Sequence, residues 1–258
     1  MNYVYEPYGK VLILFIIIGL LVAWLSVHVL LWLFWICVSL TISLKKEYDK
    51  PSKFYNWAFV LWYRYIIRVA RIKLYVTGLE KIPFGTRFLL VSNHCSKFDN
   101  FIQCAVLKRT QIAYVSKPEN FKIPIGRHFM RRGFYIPIIR GNPRQGLEAI
   151  LRGIDLIKSD KVSVGIYPEG SRSQDGQLQE FKPGAFKIAE KAKCPVVVVC
   201  MGGTQNISKN FPWKKTVVHM DILDVIQPDV WEKKGTVEVS EYAHNLIAKN
   251  LGMFNAAS

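Results

Sequence analysis

The sequence predicts an α/β protein: a mixed, mostly parallel sheet flanked by helices, preceded by an N-terminal membrane-embedded helical segment. Three observations predict it. A long uncharged run lies within the first 48 residues, and short β-rich runs alternate with helical stretches from about residue 72 onward. The polar motifs sit in the turns where such runs end. At 258 residues the chain holds one ordinary domain and a small appendage.

The implied boundaries are residues 1–48 for a hydrophobic membrane anchor, 49–72 for an amphipathic interfacial helix, and 73–258 for the α/β domain. Residues 11–44 contain no Asp, Glu, Lys or Arg, and His28 is their one histidine. As one helix these 34 residues extend about 51 Å, against a hydrocarbon core of roughly 30 Å. A tilted helix with an interfacial end would absorb the excess, and so would a helical hairpin that dips in and returns. A cleaved signal peptide does not fit, because the run is too long and no small-residue cleavage site follows. The core helix of a soluble protein rarely exceeds ~20 residues, so membrane attachment is expected.

Residues 54–72 predict a second helix started near Ser52. Arg64, Arg68 and Arg71 recur at spacings of four and three, which sets a basic face opposite Trp57, Val60 and Leu61. Aromatics and arginines on one helix suit the headgroup level of a bilayer. An ordinary amphipathic helix packed on the domain would show the same pattern.

Strands are expected at residues 72–76, 88–92, 112–115, 134–138, 162–167, 196–201 and 217–223. Helices are expected at 99–108, 143–158, 184–193 and 237–251. Ligands of such sheets bind outside the carboxyl ends of strands, where loops meet helix starts.

Formal charge is +16, from 35 Lys plus Arg against 19 Asp plus Glu. Nucleic acid and anionic lipid both attract such a chain, and the hydrophobic anchor selects anionic membrane lipid and no nucleic acid. Lys45, Lys46, Arg64, Arg68, Arg71 and Lys73 flank the anchor. The positive-inside tendency then puts the domain on the cytoplasmic face of a cell membrane. Cys37, Cys95, Cys104, Cys194 and Cys200 form an odd set without metal-ligand spacing, which predicts reduced thiols and no metal site.

Two turns carry the candidate chemistry. The first reads Asn93-His94-Cys95-Ser96-Lys97-Phe98-Asp99. A separation of five is wrong for one face of a helix, so His94 is expected before a helix start. Ser96 would be the N-cap and Asp99 the third helical residue, leaning back towards the imidazole. A carboxylate on one ring nitrogen fixes the tautomer and frees the other nitrogen to accept a proton. A plain helix cap beside a turn histidine fits the same spacing. A Cys95 nucleophile is disfavoured, because adjacent residues at a turn rarely face one another.

The second turn reads Tyr167-Pro168-Glu169-Gly170-Ser171-Arg172-Ser173. Gly170 supplies the positive φ such turns need, and Ser171 and Ser173 add hydroxyls. Arg172 offers paired planar donors for a phosphate. Glu169 either holds that guanidinium or bonds a glycerol hydroxyl. Lys117 and Arg140, each after a strand-like run, are candidates to complete an anion pocket. A surface turn with an ion pair remains the plain reading of this segment.

Together these segments resemble the 1-acylglycerol-3-phosphate acyltransferase family over roughly residues 72–225. The first block, Asn-His-x4-Asp, is Asn93, His94 and Asp99, and the second runs from Gly133 to Arg140. The third is the Tyr167–Ser173 segment, with Ser171 in place of threonine. Lys117 with Glu119 resembles the element between blocks, and Phe181, Lys182 and Gly184 resemble the Phe-Lys-x-Gly element. The fourth block usually carries two prolines three apart; Pro195 is present, but Val198 stands where the second would be.

The resemblance implies an acyl transfer from a thioester to the 2-hydroxyl of lysophosphatidic acid, giving phosphatidic acid for phospholipid synthesis. His94 would be the general base, oriented by Asp99. Lys117 and Arg172 would bind phosphate, with Arg140, Glu169, Gly170 and Ser171 nearby. The donor would be acyl-coenzyme A or an acyl carrier protein, a substrate rather than a cofactor. Rival readings are another acceptor (glycerol 3-phosphate or a different lysolipid), a thioester or lipid hydrolase, and a non-catalytic lipid-binding scaffold.

Overall fold

The structure is a computed structural model that describes residues 7–139, 141–173 and 176–257. Arg140, one of the expected anion-pocket residues, lies outside them. In chain order the helices are α1 (Pro7–Leu40), α2 (Lys53–Val69), α3 (Asp99–Val106), α4 (Gly126–Arg132), α5 (Pro143–Lys158), α6 (Lys187–Ala192), α7 (Ile207–Asn210) and α8 (Thr236–Ala257). The strands are β1 (Ile72–Thr77), β2 (Leu89–Ser92), β3 (Ile112–Ser116), β4 (Ile136–Pro137), β5 (Ser163–Ile166), β6 (Val196–Gly202) and β7 (Thr216–Ile226).

Residues 11–40 of the uncharged run lie in one continuous helix, α1, with 41–44 beyond its end, so the hairpin alternative is not adopted. Residues 10–27 are all exposed and extend about 27 Å, close to a hydrocarbon thickness. From His28 onward α1 touches the domain, and Trp35, Val38 and Ile42 are buried. Among the described residues this is the one helix long and apolar enough to cross a membrane, with mean hydropathy 2.7.

Helix α2 begins where Ser52 accepts a hydrogen bond from Tyr55 N. It runs back along α1: Trp62 lies 4.9 Å from both Trp32 and Trp35, and Tyr65 hydrogen-bonds His28 at 2.9 Å. Its buried residues are Ala58, Phe59 and Tyr63. The expected division of faces is therefore wrong. Trp57, Val60 and Leu61 lie seven, four and three residues before Arg64 and share its side of the helix rather than opposing it, Trp57 exposed and Val60 and Leu61 half-buried. Arg71 also leaves the helix, because it follows the C-cap Ala70 with φ +55°.

The connection from α1 to α2 is pinned by α4, which periodicity did not predict. Arg131 and Arg132 donate to the carbonyls of Lys46 and Lys50, and His128 Nδ1 donates to Ile42 O. The Arg132 guanidinium also lies 4.6 Å and 5.0 Å from the ring centroids of Tyr48 and Tyr55.

The seven strands form one sheet in the order β1-β7-β6-β2-β5-β3-β4. Every neighbouring pair is parallel except β6–β7, as expected of a mixed, mostly parallel sheet. Successive residues point to opposite faces. Leu90, Val197, Val199 and Met201 pack beneath α1–α4, whereas Leu89, Val91, Val196 and Val198 pack beneath α5, α6 and α8. Val198, at the position of the absent second proline, is buried and registers with Val91. A proline there would lack the N–H that a central strand uses.

Candidate active site

Sheet order explains why the two turns meet. β2 and β5 are parallel neighbours, with Val91 registered to Ile166, so both end at the same edge. Asn93–His94 and Tyr167–Pro168 then emerge side by side. Backbone and side chain lock them together: Ser173 N donates to His94 O at 2.8 Å, and His94 N donates to Glu169 Oε1 at 2.6 Å. Asn93 completes the arrangement by exchanging two 2.8 Å hydrogen bonds with the backbone of Met201 on β6. β3 lies beside β5, which brings Lys117 to the same edge.

His94 Nδ1 lies 2.8 Å from Asp99 Oδ2. The same oxygen accepts from Cys95 N at 2.9 Å and from Ser96 N at 2.8 Å. Asp99 is fully buried, while the His94 side chain keeps 16% exposure. The carboxylate thus grips one ring nitrogen from inside and leaves the other turned to the cavity. Asp99 does reach back to Ser96 N, but α3 starts at Asp99 with Phe98 as its N-cap, not at Ser96. Ser96 instead closes a turn, its Oγ accepting from Phe98 N at 3.3 Å.

Tyr167 adds a contact that spacing does not reveal. Its ring stacks on the imidazole at 3.9 Å with planes 10° apart. Its hydroxyl donates to Gln103 Oε1 at 3.2 Å, and Tyr114 donates to the same oxygen at 2.7 Å. The imidazole is therefore held at its edge by Asp99 and across its face by Tyr167. Cys95 is unsuited to nucleophilic attack: burial first, then the charges of Asp99 and Glu169, push its thiol up to about 12. All five cysteines are free thiols.

A cavity of about 1100 Å³ opens beside His94. Its mouth is cationic, with Lys97, Lys117, Arg172 and Lys182 on the rim, all exposed. The rest of its wall is largely apolar, with Phe59, Trp62 and Ile66 of α2, the exposed Trp32 of α1, and Phe129 of α4. Gly170 lines the rim with φ +74°, and a Cβ there would meet Lys182 Nζ at 3.0 Å. Lys182 was visible only as part of the Phe-Lys-x-Gly element. Val198 and Pro195 line none of this cavity.

Glu169 does not hold the Arg172 guanidinium and does not line the cavity. It is buried, and its two oxygens accept from His94 N and, at 3.1 Å, from Gln179 N. Ser171 Oγ donates to Gln179 Oε1 at 2.9 Å, fastening the same loop. Glu169 is thus a positioning residue between the two turns. Burial raises its pKa to about 7, against the lowering effect of its backbone hydrogen bonds. A folded value above the unfolded one means that stability from this group is fullest at low pH and is lost as pH rises through about 7. An amide at 169 neither titrates nor accepts both N–H groups. Glu169→Gln is therefore expected to lower turnover roughly tenfold to hundredfold, by shifting His94. Wild-type Tm should also fall relative to the variant between pH 5 and 8. A pH-independent Tm difference in paired melts would contradict this account.

Fold and site together define an α/β domain presenting a carboxylate-oriented base at the C-terminal edge of its sheet, above an apolar cavity. The model of the acyltransferase family matches residues 73–202. The chain belongs to the acyltransferase family. It is 31% identical over 208 residues to a chloroplastic 1-acyl-sn-glycerol-3-phosphate acyltransferase of Brassica napus, covering 78% of this chain and 57% of that protein. It is 36% identical over 136 residues to a chloroplastic 1-acyl-sn-glycerol-3-phosphate acyltransferase of Arabidopsis thaliana, covering 52% of this chain and 37% of that one. The chain thus spans less than two thirds of the length of either relative. The fold is similar to that of the 1-acyl-sn-glycerophosphate acyltransferase PlsC of Thermotoga maritima, with TM-score 0.66 and 23% identity over 78% of this chain and 80% of that one.

Proposed function

We propose that this chain is a membrane-bound acyltransferase. It moves a fatty acyl group from a thioester to the 2-hydroxyl of 1-acylglycerol 3-phosphate, giving phosphatidic acid. The observation that carries this reading is the His94–Asp99 pair at the cationic mouth of an apolar cavity. Relatives named for the same reaction support it.

In this reading Asp99 holds the proton on Nδ1, and Nε2 takes the proton of the acceptor hydroxyl as its oxygen attacks the thioester carbonyl. A tetrahedral oxyanion forms. Its collapse breaks the carbon–sulfur bond, and the imidazolium returns the proton to the departing thiolate. No acyl-enzyme is required, in keeping with the raised Cys95 thiol. Lys117, Arg172 and Lys182 hold the acceptor phosphate at the rim, and the apolar interior takes acyl chain. Coenzyme A or an acyl carrier protein brings the donor. Helix α1 fixes the chain in a cell membrane, with the α/β domain on the cytoplasmic side.

The test is a transfer assay with lysophosphatidic acid and both donor types, run beside glycerol 3-phosphate and other lysolipids. Phosphatidic acid formation is expected, with little fatty acid released when acceptor is omitted. Hydrolysis without acceptor would instead identify a thioesterase. Arg172→Ala is expected to raise the acceptor KM about tenfold or more with a smaller change in kcat, since a charge-assisted hydrogen bond is lost. An unchanged KM would remove Arg172 from the phosphate site.

A further inference from the structure

Outside the cavity lining, the loop between α7 and β7 carries a surface that the chemistry does not use. Trp213 is 83% exposed, the highest value for a large hydrophobic among the described residues, and Phe211 is 47% exposed. Lys209, Lys214 and Lys215 beside them are exposed as well. No acidic residue occurs from Gly203 to Met220.

The loop is held out rather than left loose. The Arg71 guanidinium donates to Pro212 O at 2.8 Å and to Trp213 O at 3.1 Å. Lys214 N donates to Asn210 O at 2.7 Å, and Asn210 Nδ2 donates to Thr216 Oγ1 at 3.0 Å. Backbone anchoring of this kind presents Trp213 outward without any side-chain packing of its own.

Position along α1 tells what it faces. α2 runs antiparallel to α1, with Tyr65 against His28. Helix α2 continues four residues past Tyr65, to Val69, about 6 Å further along that direction, and Arg71 follows its C-cap Ala70. The loop fastened to Arg71 therefore stands at the end of α2 that points toward Trp24, on the exposed part of α1. Arg68, exposed on the last turn of α2, extends the same basic zone.

We propose that this loop is a second membrane contact: Phe211 and Trp213 enter the headgroup layer of an anionic bilayer while Lys209, Lys214 and Lys215 pair with lipid phosphates. The proposal rests on the reading of α1 as a membrane helix. Aromatic rings suit the boundary between headgroup and hydrocarbon, and lysines beside them suit anionic lipid. One helix leaves the domain free to turn about the helix axis. A second contact removes that freedom and fixes which side of the domain meets the lipid.

The experiment uses the full chain in phosphatidylcholine vesicles with about one-third phosphatidylglycerol, wild type beside Trp213→Phe. The difference in emission isolates Trp213 from the other tryptophans. Lipids brominated near the headgroup should quench that component by about half, and acrylamide should reach it at least about twofold less well than it reaches free tryptophan. Quenching by acrylamide at the free rate, with no effect of brominated lipid, overturns the proposal. Shielding that follows protein concentration rather than lipid also overturns it, in favour of a contact between copies. In a second arm, the Lys209→Glu, Lys214→Glu, Lys215→Glu variant should lose about tenfold in turnover on these vesicles and change less than about twofold in detergent micelles. Equal loss in both media assigns the lysines to the fold and ends the proposal. Flotation of wild type with vesicles reports separately on α1: failure to float rejects the anchor itself, whatever the loop does.

Discussion

Replacing His94 by alanine is expected to lower kcat by about 10² to 10⁴-fold, the range general-base catalysis supplies, with the fold intact. The groups it touches keep other holds: Asp99 Oδ2 still accepts from Cys95 N and Ser96 N, and the Tyr167 hydroxyl still bonds Gln103. What holds its loop is backbone: His94 N on Glu169, and His94 O accepting from Ser173 N. Alanine keeps both bonds. The acceptor KM should therefore stay within a few fold, because the cations of the rim are untouched. The measurement is turnover at saturating acceptor and donor, beside a thermal melt of each protein. Residual turnover within about tenfold of wild type would be too much for loss of the base, and proton removal would then belong to another group. Added imidazole offers a further check. The cavity left by the side chain opens at its mouth, so partial rescue is expected for His94→Ala and none for a variant that has lost the loop.

Most of the sheet was legible because its central strands are β-branched runs ended by turn residues, such as Val196 to Val199. The edge was less so. Residues 134–138 read as a strand, yet only Ile136 and Pro137 pair, with Val115 and Ser116. Phe134 takes φ +62°, which breaks the strand at its start, and Pro137 brings no N–H to the ladder. Helix α4 escaped notice because Gly-Arg-His-Phe-Met-Arg-Arg has no apolar period. It is settled instead by Arg131, Arg132 and His128 bonding a distant linker. Its reason for existing is tertiary.

The candidate site divides the same way. His94 and Asp99 share one turn, so local spacing brought them together before any fold was known. Glu169 looked like a partner for Arg172, its near neighbour in sequence. Its real partners are the N–H groups of His94 and Gln179, which leave no mark in a side-chain pattern. The stacking of Tyr167 on His94 likewise depends on the parallel register of β2 and β5. Side-chain chemistry was readable locally. Backbone recipients and ring faces required the sheet.

Asp99→Asn should produce nearly as large a loss, about 10²-fold or more in kcat, but by a separable route. Three donors converge on Oδ2, from His94 Nδ1, Cys95 N and Ser96 N. The two backbone donors cannot turn away, so an asparagine must offer them its oxygen and point its amide elsewhere. The turn then survives, yet the imidazolium formed during catalysis loses the negative charge that stabilises it. Weakened backbone bonds should also cost about 1–3 kcal/mol of stability, whereas His94→Ala leaves both backbone bonds on Oδ2 in place and should cost less. The decisive measurement is the double variant. If Asp99 acts through His94, adding Asp99→Asn to His94→Ala should cost little further activity, because the group it serves is already gone. Losses that multiply would mean that the two residues contribute independently, and the carboxylate would then be a fold element that happens to touch the base.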